Sequence, residues 1–357
     1  MTKEWVLTAI TGALVFSSAL TSLAQEDPYE QERRQAAESR KNDSSWAPKT
    51  KEVALIQIGD KNSPGSLKNY CLNKDGNILA LLGNEIRVYS ADGKLVKKIP
   101  TEIKAGAICV GKDDNIFIGG EGKVFKLSPE GKVLASAASP VASEPVKMTK
   151  ETEEMVREMS KETRQPFEQE LARMKTNLEN RRSEVMGIAS TGDDIFMTVP
   201  SVTDFSFRVY RLTQALEEPK LVVEKLRGCC GTMDVQAHNG SVWIPHNARH
   251  AIENYDRDGK QLARFGKSGK VKPADFGGCC EPKCIRVLPD GDILAAESGP
   301  PTCIKRFSAD GKFKEIVALV EDTKGDCVRV TVAASPDASK FYMLDTTRDA
   351  IRVFAAK

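Results

Sequence analysis

Histidine is scarce in this chain of 357 residues, with three in all, and aromatic residues make up only 6%. With so few imidazoles no Ser-His-Asp or Cys-His set is legible, because such sets need an imidazole beside the nucleophile. Neither sign of charge predominates: 52 Lys and Arg stand against 50 Asp and Glu, a net charge of +2. Basic and acidic residues are interspersed, and no basic stripe with interleaved aromatics occurs, which removes the footprint of a nucleic-acid binder. A long apolar run occurs only near the N-terminus, from Trp5 to Leu20, diluted by Thr8, Thr11, Ser17 and Ser18. Lys3 precedes it and the small-x-small triplet Ser22-Leu23-Ala24 follows, so residues 1–24 read as a secretory signal peptide. The expectation is an exported protein, periplasmic or extracellular, touching a membrane only through this segment if it stays uncleaved. No cysteine lies near the cleavage point, which excludes lipid attachment there. Residues 25–50 are charged and poor in β-formers, and read as a flexible linker.

What the rest of the chain contains is repetition. KNYCLNKDGNILALLGNEIRVYSADGKLVKKI at 68–99 and EPKCIRVLPDGDILAAESGPPTCIKRFSADGKFKEIVA at 281–318 share one layout. Each has a β-rich run, an Asp-Gly turn, a second run, a small loop, a third run ending in Ser-Ala-Asp-Gly, and a fourth run. Asp-Gly between alternating apolar runs is a strong hairpin signal. Weaker copies extend the series of first turns to Asp75, Asp113, Asp193, Asn239, Asp290 and Asp337, at intervals of 38, 80, 46, 51 and 47 residues. A four-stranded unit recurring every ~40–50 residues is the signature of a β-propeller blade, and six anchors give six blades. The last repeat supplies only three strands, while Val53-Ala54-Leu55-Ile56-Gln57-Ile58 is a β-run with no partner of its own. Pairing that run with residues 350–355 closes the ring and removes a sheet edge. The predicted fold is therefore all-β, a six-bladed propeller over 51–357 closed by an N-terminal strand.

The long interval holds an insertion between blades 2 and 3, about 145–184, rich in Lys, Glu, Arg and Met. Met155, Met159, Phe167, Leu171, Met174 and Leu178 recur at spacings of 3 and 4, which predicts amphipathic, coiled-coil-like helix. Pro166 divides it into two helices or kinks one. The stripe rests on the propeller or serves a partner helix.

The blade pattern, with PDGDILAAES at 289–298 and Ile304-Lys305-Arg306-Phe307, resembles NHL-repeat proteins and the wider six-bladed, TolB-like propellers. Gly-Cys-Cys-Gly at 228–231, Phe-Gly-Gly-Cys-Cys-x-Pro at 276–282, the later Cys327 and the charged insert narrow the resemblance to exported bacterial NHL-like proteins with cysteine pairs. In that group the residue after the second pair is usually Asn, and Glu281 departs from it. The resemblance implies a propeller scaffold whose relatives include lactonases and an amidating lyase with metal in the central channel, beside many binding modules.

Propeller topology then places the cysteines. Inner-strand starts and second-to-third-strand loops open on one face. Cys229 and Cys230 precede the inner strand of blade 4, Cys279 and Cys280 that of blade 5. Cys284 and Cys327 mark the inner-strand starts of blades 5 and 6, and Cys303 falls in the blade 5 loop after Gly299-Pro300-Pro301-Thr302. His246, Arg249 and His250 sit in the equivalent loop of blade 4, and Glu281 follows the second pair. The expectation is a cysteine-rich face over blades 4 to 6 that binds a protein or small-molecule ligand. Three chemistries fit it: disulfides, natural in an exported protein; a thiolate-bound metal or iron–sulfur cluster held by Cys229, Cys230, Cys279, Cys280, Cys284 and Cys327 with His246 and His250; or ordinary buried thiols. Cys71 and Cys109 lie inside inner strands and read as core filler. The total of nine is odd, so disulfides alone leave one thiol over.

Catalysis has thinner support. The channel-facing starts Asn69, Ala107, Thr232, Cys284 and Cys327 make no oxygen-ligand set for Ca²⁺. The acidic candidates Asp234, Glu281, Glu297 and Asp345 converge only by side-chain reach. A binding module is the better reading, with a metal or iron–sulfur redox protein second and a lactonase- or lyase-like hydrolase third.

Overall fold

In the third-to-fourth-strand turns of blades 1, 2, 4 and 5, the amides of Gly93, Gly131, Gly259 and Gly311 each donate to the carbonyl three residues back. Gly311 shows why the residue is Gly: its φ is +82°, and a Cβ there would stand 2.4 Å from the Phe265 ring of the preceding blade. These turns punctuate a chain of which a computed structural model describes residues 28–59, 66–228, 232–299, 301–321 and 327–357. The segment read as a signal peptide lies outside the described residues.

The strands form six four-stranded antiparallel sheets, each in sequence order apart from the last. Inner strands are Leu67–Leu72, Ala107–Val110, Gly187–Ser190, Gln236–His238, Cys284–Val287 and Val332–Ala334 for blades 1 to 6. Each touches the next, and blade 6 touches blade 1, so the sheets form a ring around a channel. All six first-turn anchors fall between inner and second strands. Blade 6 takes its outermost strand from Thr50–Gln57, which pairs antiparallel with Ala350–Ala356. The second strands of blades 1, 2, 3 and 5, Ile78–Leu82, Ile116–Gly120, Asp194–Pro200 and Ile293–Glu297, are buried along their whole length, because neighbouring blades cover both faces.

After a first helix, α1, at Pro28–Asn42, two more stand between blades 2 and 3, α2 at Lys150–Thr163 and α3 at Phe167–Arg181. Thr149 caps α2 by accepting from the Thr152 amide at 3.1 Å, Arg164 ends it at a φ of 56°, and Pro166 starts α3. The buried stripe of α2 is Thr152, Val156 and Ser160, one position out of phase with the expected Met155 and Met159; Met155 is exposed. The amides of Lys147 and Thr149 bond the carbonyls of Val202 and Thr203, and this anchoring of the root on blade 3 sets the phase.

The linker expectation is corrected. Pro28–Asn42 is helical, Ser44–Trp46 forms a 3₁₀ turn, and Ala36 and Trp46 are buried. Trp46 donates its indole N–H to the Val271 carbonyl at 3.1 Å and lies 5.3 Å from the buried Lys305 ammonium, a cation–π contact. Composition concealed this because one large aromatic anchors an otherwise polar segment. Trp46→Ala is expected to cost ~2 kcal/mol and lower Tm by about 5 °C in thermal denaturation. An unchanged Tm would return the segment to a passive tether.

Candidate functional site

The segment 276–284 leads from the outer strand of blade 4 to the inner strand of blade 5, and it carries the site. Gly278 has a φ of 79° and turns the chain, so that Cys279 is exposed while Cys280 faces inward, fully buried. Glu281 and Pro282 are joined by a cis peptide bond. Opposite them, Cys327 holds a φ of 65°, a left-handed conformation that costs a non-glycine residue ~1 kcal/mol and that clusters at functional sites.

The three sulfurs meet. Cys279 Sγ lies 3.3 Å from Cys280 Sγ and 3.6 Å from Cys327 Sγ, and Cys280 Sγ lies 4.0 Å from Cys327 Sγ. The buried Lys283 ammonium donates to Cys280 Sγ at 2.7 Å. A charge-assisted bond of that length favours the thiolate form.

Beside the sulfurs lies a set of buried ionisable groups: Glu281, Lys283, Glu297 and Lys305, each no more than 5% exposed. Lys305 pairs with Glu297 and donates to the Asp275 carbonyl. Glu281 Oε1 accepts from the Ser298 amide at 2.9 Å, the Ser298 hydroxyl at 2.7 Å and the Gly299 amide at 3.2 Å. Its Oε2 is buried without a partner among the described residues. Burial, then the neighbouring Glu297 charge, pushes the Glu281 carboxyl up to about 8. The folded carboxyl keeps its proton where the unfolded one has lost it, so this group makes stability fall as pH rises from about 4.5 to 8. Glu281→Gln, which keeps an oxygen for Ser298 and Gly299, is expected to flatten that fall in Tm between pH 5 and 8. An unaltered slope would place the titration elsewhere.

The other expected site residues fall in different places. Cys229 and Cys230 lie outside the described residues. Cys284 does not join the sulfurs: its thiol donates to Asp234 Oδ2 at 3.1 Å, and burial, then Asp234, raises its pKa. Cys303 is a residue of the strand Thr302–Phe307 rather than of the loop before it, opposite Glu297, and burial and that carboxylate push its thiol up. Both are therefore held as neutral thiols.

His246 spends both ring nitrogens, Nδ1 on Glu253 at 2.9 Å and Nε2 in accepting the Arg227 amide at 2.9 Å. This strut leaves it no lone pair for a metal. His250 is half-buried, its Nδ1 without a partner among the described residues, and burial followed by the Lys283 charge lowers its pKa; it stands outside the sulfur group. Arg249 is exposed on the short 3₁₀ turn Asn247–Arg249. Cys71, pushed by burial up to about 12, and Cys109 pack in the cores of blades 1 and 2. Sequence reasoning missed Lys283 and Lys305. The available signal was a lysine inside otherwise apolar, cysteine-bearing runs.

No protein-family model matches the sequence, and no curated protein matches it. Solved structures do. A gluconolactonase from Xanthomonas campestris superposes with a TM-score of 0.52 at 12% identity, over 87% of this chain and 94% of that one. A chain of the mitotic checkpoint complex gives 0.53 at 9%, over 86% and 96%. The β-propeller domain of Cps50 (Swd1) from Myceliophthora thermophila gives 0.50 at 7%, over 86% and 100%. At these identities the likeness is one of fold alone, and the chain is a six-bladed β-propeller.

Proposed function

We propose that the protein is an exported, NHL-like binding propeller whose cysteine-bearing mouth holds a soft metal ion through Cys279, Cys280 and Cys327. The observation that carries this reading is the sulfur triangle, with edges of 3.3, 3.6 and 4.0 Å. Those edges bracket the ~3.8 Å edge of a tetrahedron built on 2.3 Å metal–sulfur bonds. Three sulfurs fill three corners. The exposure of Cys279 leaves the fourth on the solvent side, for a water, a ligand or a partner's side chain. Thiolate donors favour Zn²⁺, Cd²⁺ or Cu⁺ over Ca²⁺ or Mg²⁺. Lys283 supports the reading by stabilising Cys280 as thiolate before any ion arrives.

A second reading is a disulfide between Cys279 and Cys280, favoured by their 3.3 Å separation and by the flexible Gly277-Gly278 lead-in. Titrating reduced, metal-free protein with Cd²⁺ while following thiolate-to-metal charge transfer in the ultraviolet separates the two. The metal reading expects saturation at one equivalent, abolished by prior oxidation. No charge-transfer band in reduced protein, with Cys279 and Cys280 recovered as a disulfide after mild oxidation, would select the second.

A further inference from the structure

The side chain of Arg329 reaches across the channel at this mouth. Arg329, just before the inner strand of blade 6, donates from Nη2 to the Met186 carbonyl at 2.9 Å. Met186 stands at the start of blade 3, and in a ring of six those blades face each other across the axis. The guanidinium therefore spans the lumen. It carries five N–H donors, and Met186 is the only acceptor they meet among the described residues. The ionisable groups against it are Asp234 and the neutral Cys284 thiol.

Asp234 is already committed, accepting from the Cys284 thiol, the Ile285 amide and Gln236. A second guanidinium, Arg286, lines the neighbouring wall, fixed by Gln236 Oε1 at 2.5 Å and the Val332 carbonyl at 3.4 Å. Two residues before Asp234, the buried Thr232 hydroxyl also lacks a partner among the described residues. Two guanidinium charges against one occupied carboxylate leave a positive lumen with donors to spare.

We infer that the central channel binds a small oxyanion, a carboxylate or a tetrahedral anion such as phosphate, on the Arg329 guanidinium. A planar fork with free parallel N–H groups recognises the paired oxygens of either. A single backbone carbonyl does not discharge a half-buried guanidinium. The site is independent of the thiol reading, because none of its donors is a sulfur.

The test is calorimetric titration of the full chain with inorganic phosphate and, separately, with acetate, at constant ionic strength in chloride. Wild type is expected to bind one equivalent of at least one of them, and the stronger arm identifies the anion class. Arg329→Gln is expected to weaken that binding at least ~10-fold, with Arg329→Lys in between because it keeps the charge and loses the fork. Leu262→Ala, at an exposed position on the outermost strand of blade 4, is expected to bind as wild type. If Arg329→Gln proves unfolded by circular dichroism, Arg329→Lys carries the comparison. Saturable binding undiminished in the folded Arg329 variants, or no heat in wild type with either anion, would overturn the assignment.

Discussion

Replacing Cys327 by Ser is expected to lower Cd²⁺ affinity at least ~100-fold, or about 2.7 kcal/mol, leaving the fold intact. Removing one of three thiolates deprives the ion of a ligand, a larger loss than the ~10–100-fold typical of outer-shell changes. Cys327 is partly accessible and makes no strand pairing, so its replacement takes away little packing. Cys279→Ser should behave alike. Cys109→Ser removes only a buried sulfur from the blade 2 core, so it is expected to lower Tm and leave affinity alone. Competition titration against a chromophoric chelator reads both effects. A Cys109 variant that loses metal while the Cys327 variant keeps it would sink the assignment.

The second large effect concerns the ring. A chain beginning at Ile58 lacks Thr50–Gln57, the outermost strand of blade 6. It exposes the whole edge of Ala350–Ala356 and strips Arg352 of Glu52, which it meets at 2.7 Å. Against a total stability of about 5–15 kcal/mol, losing a full ladder and the burial of Ile56 is expected to leave a chain that aggregates or melts more than ~10 °C lower. A chain beginning at Lys49 keeps the strand and loses the helix Pro28–Asn42 with the Ala36, Ser39 and Trp46 contacts, so its Tm should fall by about 5 °C. Equal melting of the two truncations would remove the closing strand from the account.

The blade count was legible because it rests on turn chemistry, which is local. Asp75, Asp113, Asp193, Asn239, Asp290 and Asp337 each sit where the backbone needs a turn residue, and each marks one inner hairpin. The missing fourth strand of blade 6 was legible for the same reason, as an unmatched run at 53–58. Helix phase was not: whether Met155 or Val156 faces inward depends on where Lys147 and Thr149 dock on blade 3, a long-range contact.

At the site, topology brought the cysteines to one end of blades 5 and 6. Which sulfurs meet was decided by side-chain direction. Cys284 turns to Asp234 and Cys303 to the interior of its strand, and neither outcome is written in spacing. The strut role of His246 was equally hidden, since it depends on Glu253 in the paired strand and on the Arg227 amide 19 residues away. Buried lysines escaped notice because a lysine in a strand normally points to water.

The central claim is that the mouth offers three sulfurs to one soft ion. Zinc K-edge X-ray absorption on reduced protein loaded with one equivalent of Zn²⁺ tests it directly. The account predicts a first shell of three sulfurs at ~2.3 Å with one lighter atom. A shell of nitrogen and oxygen alone would contradict it.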